Sequence, residues 1–406
     1  MIILKLAITE GKLSKVFTGK GSGGFIMLGK QPAARFSEER IAALVFYRDG
    51  LPVRRNFMRK IESLQGLRGW AILMIVLWHL NSIFPRTLPK LGDRGVEFFL
   101  FISGFLIARK CQRPGMLESF RDSASYTLKK IKESYWLYFL PAVPVFLLDV
   151  FAGPEKIEAP LLQLASFSSL LQSWIPDPRV CWAVSRTAWF FPVILYCYLI
   201  TPLIRKAFRR FSAGTILLFC LFLQVASELL AKHFLPVFYY EWLNYVCPAY
   251  RALDFTIGFC AWHLFIKPCG KEKQSSRASP QKTVFFADFL YVVLVLVLTG
   301  LSLLRPVWLK YVLFHPFEIA LLIIIASEKS VIANILNRNR VMVRLGDLSR
   351  IIFFTHLPVI RLTGIIWRRF FNPDLFFPLW LVSLLMILLS AVITDKLIKK
   401  FQKAYQ

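Results

Sequence analysis

Two apolar segments decide the fold: ESLQGLRGWAILMIVLWHLNSIF at Glu62–Phe84 and GVEFFLFISGFLI at Gly95–Ile107. A short polar loop joins them, so we predict a hairpin of two helices. Ionisable groups lie within both segments, and their cost inside a bilayer makes them functional candidates. Arg68 and His79 are eleven residues apart, about three helical turns and ~16 Å of rise. We therefore expect both side chains on one helical face, at different depths.

The composition of the whole chain is that of a membrane protein. Of its 406 residues, 56% are hydrophobic and 18% are charged, and 38 are Phe. Soluble proteins are less apolar, and about 20 apolar residues span a bilayer as a helix. We predict an all-α polytopic membrane protein with about ten transmembrane helices and the bilayer as its partner. The predicted spans are Leu67–Phe84, Val96–Ala108, Tyr135–Phe151, Val184–Ile204, Ala213–Ala231, Tyr250–Ile266, Thr283–Leu304, Tyr311–Ala326, Ile351–Ile366 and Phe376–Ile393.

The basic residues between the spans predict the orientation. One alternate set of gaps, with the C-terminal tail, holds 25 Lys and Arg residues, and the opposite set holds 10. Because cytoplasmic loops carry the excess of Lys and Arg, both termini are predicted to be cytoplasmic. This distribution also accounts for the net charge of +27 without a nucleic-acid partner.

Residues 1–57 differ from the rest, because they are polar, basic and contain the stretch GKGSGG. They form either a disordered extension or a stretch upstream of a true start at Met58, and residues 58–406 form the integral membrane domain. The seven cysteines show no metal-ligand spacing, so we predict no metal site. Cys181 and Cys247 lie in outer segments, where a disulfide is chemically allowed.

Several short sequence motifs resemble those of family three of the membrane acyltransferases, whose members O-acylate surface sugars and lipid-linked glycans. They are LQGLRG, the spacing from Arg68 to His79, and GVEFFLFISGFLI. Three further motifs also resemble that family: WFFPVILYCYLITP at 189–202, RALDFTIGF at 251–259 and LGDLSRIIFFTHLPV at 345–359. The chain departs from the family pattern at Gln65 and Ile194, where acids are usual.

The resemblance implies that residues 58–406 are an acyltransferase domain in a bacterial inner (plasma) membrane. It implies acetyl-CoA or another acyl-CoA as the donor, and a hydroxyl of an outward-facing sugar or glycolipid as the acceptor. His79 is the candidate base, since imidazole titrates near neutral pH, or it carries the acyl group itself. The alternative is a histidine that hydrogen-bonds two helices.

Glu97 is the second candidate catalytic residue. It would orient the imidazole of His79 and stabilise its cation, as a carboxylate does in a triad. A structural ion pair with a neighbouring arginine is the alternative. Ser103 and Gly104 are interpreted as small residues that let helices pack.

The candidate substrate-binding residues fall into two sets. Arg68 would hold the phosphates of acyl-CoA, for which its forked donors are suited, or it is an interfacial arginine. Lys129 and Lys130 would attract the same phosphates, or they are an ordinary positive-inside flank. The resemblance adds four more substrate-binding residues: Trp189, Arg251, Asp254 and His356.

Two other functions stay open at this point. A transporter or flippase for a glycan or small anion would also place polar residues within its spans, but related halves are typical of transporters and none is evident here. A membrane scaffold without activity is the third alternative, because Ile194 replaces an acid. With the predicted orientation, Arg68 lies at the inner face and His79 and Glu97 lie in the outer half. An enzyme so arranged would move an acyl group across the membrane.

Overall fold

The computed structural model describes residues 5–9, 12–16, 60–81, 91–152, 157–275, 280–304, 312–372 and 375–404. The chain divides into two units, Met1–Lys60 and Ile61–Gln406. In the first unit, strands β1 (Lys5–Thr9) and β2 (Lys12–Val16) form an antiparallel hairpin. The remainder of residues 1–57 lies outside the described residues, so the two interpretations of this segment stay predictions.

The regular secondary structure in the described residues of the second unit is entirely helical. Its α-helices are α1 (Glu62–Leu80), α2 (Gly92–Lys110), α3 (Phe120–Ala152), α4 (Pro160–Ser168), α5 (Pro178–Cys181), α6 (Phe190–Leu199), α7 (Thr201–Arg210), α8 (Ala213–Phe234), α9 (Val237–Glu241), α10 (Pro248–Ser275), α11 (Pro280–Leu304), α12 (His315–Ser327), α13 (Val331–Asn337), α14 (Arg340–Phe370) and α15 (Phe376–Ala404). Short 3₁₀ turns cover Gln172–Trp174 and Val312–Phe314, and a π-helical turn covers Trp242–Val246.

Each of the ten predicted spans overlaps a helix, but not all are long and apolar enough to be counted as spans. Five helices meet that criterion in the described residues, namely α3, α8, α11, α14 and α15, and seven spans result if two bent helix pairs are included. Helices α1, α2 and α10 fall outside this set. The predicted ends at Phe84 and Tyr311 lie outside the described residues. The structure therefore confirms a multi-pass helical protein with five to seven candidate spans.

The first of two bent pairs corrects a prediction of a single span, and the second bend lies beyond the span predicted to end at Ala326. The span predicted at Val184–Ile204 begins as helix at Phe190 and bends by 50° between α6 and α7. Pro202, in the first turn of α7, has no backbone N–H and its ring crowds the preceding turn. The second pair bends by 89° between α12 and α13. There Glu328 ends α12 in a left-handed conformation (φ 54°), and Ser330 caps α13 through the N–H of Ala333.

Two closely packed helix pairs form the core, α1 with α14 and α2 with α10, and α1 also packs against α2. Glycine allows the close approach in both pairs. A Cβ atom on Gly104 of α2 would collide with the carbonyl oxygen of Phe255 on α10, and one on Gly346 of α14 would collide with that of Gln65 on α1. Small residues let backbones meet where there is no water to drive association. The packing role predicted for Gly104 is confirmed.

The order of contacts gives the relative direction of these helices. Gln65 of α1 meets Gly346 of α14, and further along both helices His79 meets His356. The two helices therefore run parallel, and the contacts between α2 and α10 follow the same rule. Parallel directions agree with the predicted topology, in which α1 and α14 are the first and ninth spans.

Other helices lie at the periphery of the bundle. Only 17% of the most apolar stretch of α11 is buried, and 22% of that of α15, whereas 56% of that of α14 is buried. The exposed apolar side chains of α11 and α15 are therefore the surface that lipid would cover. Cys181 and Cys247 are both buried and free. The disulfide considered from the sequence is absent from the described residues.

Candidate active site

His79 lies beside a second histidine. Nδ1 of His79 on α1 is 3.4 Å from Nε2 of His356 on α14, and the ring centroids are 5.0 Å apart. His356 is fully buried and His79 is partly buried. The close approach of α1 and α14 brings the two rings together. Both residues belong to the predicted site, but the sequence did not indicate that they are neighbours.

Backbone contacts determine which nitrogens carry protons. Nδ1 of His79 is 2.8 Å from the carbonyl oxygen of Ile75, and Nδ1 of His356 is 2.9 Å from that of Ile352. A carbonyl oxygen only accepts hydrogen bonds, so each Nδ1 is the donor. The neutral ring of His79 therefore has its lone pair on Nε2. This is the atom that can take a proton from a hydroxyl.

Arg68 lies on the same helix as His79, about three turns away. The carbon of its guanidinium is 5.8 Å from the centroid of the Phe99 ring. Tyr198, Asp347 and Arg350 are the ionisable groups that interact with it electrostatically. Eleven residues of helix separate the levels of Arg68 and His79 by about 16 Å.

Further cations lie along two tyrosines whose rings meet edge to face. The rings of Tyr126 and Tyr198 are 5.3 Å apart. Nζ of Lys110 lies 4.1 Å from the centroid of Tyr126, and Nζ of Lys130 lies 5.6 Å from it. We call the following set the basic group: Arg68, Lys110, Lys130 and Arg350. Lys129 is exposed. The sequence prediction counted Lys110 and Arg350 only as loop charges. Arg350 interacts with Arg68 electrostatically, and Lys110 lies on the ring of Tyr126.

A second cluster of ionisable side chains is fully enclosed between α2, α10 and α12. We call it the ion cluster, and its members are Arg94, Glu97, Arg251, Asp254, His315 and Glu318. None of its members is more than 6% exposed. Burial of this kind is sustainable only when each charge is paired.

Glu97 belongs to the ion cluster. Its carboxylate is 2.6 Å from Nη1 of Arg94 and 3.7 Å from Nη1 of Arg251. Arg251 also donates to Asp254 at 2.7 Å. The ion pair with a neighbouring arginine, which was the alternative for Glu97, is therefore present. A role in orienting His79 stays a prediction, and the ring that contacts His79 is that of His356.

His315 bridges two carboxylates. Its Nε2 is 3.1 Å from Asp254, and its Nδ1 is 3.2 Å from Glu318. Carboxylates accept hydrogen bonds, so both ring nitrogens act as donors and the imidazole is a cation. With His315 protonated, the ion cluster contains three cations and three anions. Its charges therefore balance within the protein.

Trp189 connects the ion cluster to the aromatic surroundings. It is buried, and its ring centroid is 4.9 Å from that of Tyr245 and 5.9 Å from the guanidinium carbon of Arg251. The guanidinium of Arg251 also lies 4.7 Å from the Tyr245 ring. Ile194, where the family pattern has an acid, is a buried residue of the apolar core.

The ion cluster includes the one metal-ligand geometry found in the described residues. Ligand atoms of Glu97, His315 and Glu318 lie within 4.8 Å of one another. The guanidinium of Arg94 pairs with both of these glutamates, so a metal ion would have to compete with it for their oxygens. The absence of a metal stays a prediction.

The sequence contained a signal for the residues that the site prediction missed. Arg94 precedes Glu97 by three residues, and His315 precedes Glu318 by three. Such pairs face each other on a helix. Two i, i+3 pairs of opposite charge within apolar segments indicate internal partners, but the spacing does not show that the two pairs meet.

Comparisons with known proteins agree on the type of protein. The family model for the acyltransferase domain of the acyltransferase 3 family matches residues 61–395. A protein of Acidianus two-tailed virus, named as a candidate acetyltransferase, is 25% identical over 317 residues, which are 77% of this chain and 87% of that protein. A protein of Staphylococcus aureus (strain COL), named as a candidate O-acetyltransferase, is 36% identical over 97 residues, which are 23% of this chain and 14% of that protein. No solved structure matches the chain.

Proposed function

We propose a reaction for this chain, which belongs to the acyltransferase 3 family and is therefore an enzyme that transfers acyl groups other than aminoacyl groups. The enzyme takes an acyl group, most simply acetyl, from cytoplasmic acyl-CoA. It transfers this group to a hydroxyl of a sugar or glycolipid at the opposite face of a bacterial inner membrane. Family membership favours this reaction over the transporter and the inactive scaffold.

The observation that carries the proposal is the position of two groups on α1. The basic group around Arg68 suits the phosphates of a CoA donor, since guanidinium and ammonium groups both bind phosphate. His79 lies about 16 Å further along the same helix, a separation that the extended pantetheine arm of CoA can cover. The thioester would then reach the imidazole while the phosphates stay at the cytoplasmic side.

In the direct route, Nε2 of His79 takes the proton of the acceptor hydroxyl as its oxygen attacks the thioester carbonyl. The C–S bond of the resulting tetrahedral intermediate breaks, and the CoA thiolate takes the proton back from His79. The products are an ester and free CoA. In the alternative route, Nε2 attacks the thioester carbonyl, the C–S bond breaks and CoA leaves as the thiolate. The acceptor oxygen then takes the acyl group from the imidazole, and the hydroxyl proton goes to the thiolate.

Isotope exchange separates these routes. The purified protein is incubated with acyl-CoA and labelled CoA in the absence of an acceptor. A covalent carrier scrambles label into acyl-CoA, because its first half-reaction is reversible. The direct route gives no exchange without the hydroxyl acceptor.

The central test replaces His79 with Ala. Turnover should fall by about 10²–10⁴-fold, the usual contribution of a general base, while acyl-CoA binding stays near normal because a base acts mainly in the transition state. Activity is measured as acyl transfer per molecule of purified protein, and acylation of surface glycans is measured by mass spectrometry. Near-normal transfer by purified His79→Ala protein would remove His79 from the reaction.

Reporter tags test the orientation on which the proposal depends. A tag at Lys273 and one at the C-terminus should both report the cytoplasm, and one near Pro176 should report the outside. A C-terminal tag found outside would place the basic group on the wrong side for cytoplasmic acyl-CoA.

A further inference from the structure

His356 lies beside the ring nitrogen of His79 that the proposed reaction does not use. Its Nε2 is 3.4 Å from Nδ1 of His79, whereas the proposed chemistry uses Nε2 of His79. Since Nδ1 of His356 donates to the carbonyl of Ile352, its Nε2 has the lone pair and can only accept. A buried acceptor is thus directed at the Nδ1–H of His79.

We propose that His356 is a positioning residue that accepts the Nδ1–H of His79, fixes its tautomer and stabilises the imidazolium formed in acyl transfer. This inference rests on the proposed function. The Nδ1–H is shared between His356 and the carbonyl oxygen of Ile75, which is 2.8 Å away. Both acceptors favour the same tautomer, so the lone pair of His79 stays on Nε2.

An imidazole suits this position better than a carboxylate would. A carboxylate buried without a permanent cation has a large desolvation cost, and His79 is a cation only during turnover. A neutral acceptor avoids that cost, and its hydrogen bond strengthens when His79 gains a charge. Such a gain is made in the transition state and not in the resting enzyme, so it increases kcat.

Helix packing supports a fixed geometry for the pair. His79 is ten residues after Gly69 on α1, and His356 is ten residues after Gly346 on α14. A Cβ at either glycine would collide with the opposite helix, at the carbonyl oxygens of Met342 and Gln65 respectively. The two backbones are therefore in contact near Gly69 and Gly346, which fixes the register of the two helices. Each histidine lies ten residues beyond the glycine of its own helix.

Two substitutions separate positioning from a merely structural role. His356→Asn places an amide near Nδ1, so it can keep the bond to Ile352 but is too short to reach His79. His356→Gln places its amide near Nε2, so its oxygen can accept from His79. We expect the Asn variant to lose roughly 100-fold in kcat, within the range of acid–base catalysis, with KM for acyl-CoA unchanged. The Gln variant should recover most of that loss.

Nitrogen NMR gives a readout that does not depend on acyl transfer. The protein has five histidines, and ¹⁵N-histidine labelling with His79→Ala as the assignment control identifies the His79 signals. Wild type and His356→Gln should show a protonated Nδ1 and an unprotonated Nε2 at His79. His356→Asn should show a larger share of the other tautomer.

Each outcome has a distinct meaning. Full kcat with an unchanged tautomer in His356→Asn would overturn the inference while leaving the proposed function intact. A kcat that is retained in His356→Asn but lost in His356→Gln would also overturn it. A rise in KM alone would make His356 a substrate-binding residue, as the family resemblance implies, and would also overturn it. Failure of the proposed function appears separately, as acyl transfer by His79→Ala.

Discussion

The His79–His356 pair and the ion cluster are both built where parallel helices cross, but they treat charge in opposite ways. In the ion cluster, three cations and three anions contact one another, and His315 donates from both nitrogens. In the histidine pair, two neutral rings share one N–H and backbone carbonyl groups are their other acceptors. Permanent charges that neutralise each other hold helices in register. A base must instead be able to gain a charge, and the acceptors that contact Nδ1 of His79 are neutral groups.

Removing one ionisable side chain from each region should separate stability from activity, and it gives the largest effects. Glu97→Gln leaves the ion cluster with an excess cation, and breaking a buried pair costs about 3–5 kcal/mol. We expect a strong fall in protein level and in the unfolding temperature in detergent. His79→Ala should keep the unfolding temperature and lose turnover. A stable Glu97→Gln protein that has lost only kcat would instead support Glu97 as a catalytic residue.

A double-mutant cycle tests whether charge balance is what the ion cluster requires. His315→Gln and Glu318→Gln each leave one unpaired buried charge, whereas the double variant removes one cation and one anion. The double variant should be more stable than the sum of the single losses predicts, by about 1–3 kcal/mol of coupling. The measurement is thermal unfolding of the four purified proteins. Additive losses would mean that His315 is not a cation in the folded protein.

A smaller effect is expected at the other end of α1. Arg68→Ala should raise KM for acyl-CoA by roughly 10–100-fold, since a charge-assisted hydrogen bond contributes about 1.5–3 kcal/mol. Arg68→Lys should recover only part of this, because an ammonium group cannot replace a planar fork. Lys206→Ala is the control, because Lys206 is an exposed cation outside the basic group. A loss of kcat without a change in KM would remove Arg68 from donor binding.

Sequence patterns identified the class of protein, the family and the elements that carry the site. Composition and apolar periodicity were sufficient for a multi-pass helical protein, because the bilayer allows few other structures. The bend after Leu199 was missed, since an apolar run with a proline inside it still resembles one span. The family motifs singled out His79 and His356, and the match to residues 61–395 confirms the family.

The contacts between motifs that are far apart in the sequence could not be predicted from local spacing. Glu97 was expected beside His79 because their helices form a hairpin, yet its partners include Arg251, more than 150 residues further along the chain. His356 is 277 residues from His79. Local spacing shows which side chains share a helical face, but not which helix packs against that face. Only the glycines in the family motifs indicated where two helices pack closely.

Those glycine crossings also have a consequence for how the enzyme experiences its membrane. A bilayer that thickens or thins is accommodated by tilting helices, at a modest cost per ångström. Most of the apolar stretch of α11 is not buried, so this helix can tilt, whereas α1 and α14 are held backbone to backbone. Changes in lipid chain length should therefore be absorbed at the rim of the bundle. We therefore expect the distance between the imidazoles of His79 and His356 to stay constant when the surrounding lipids change.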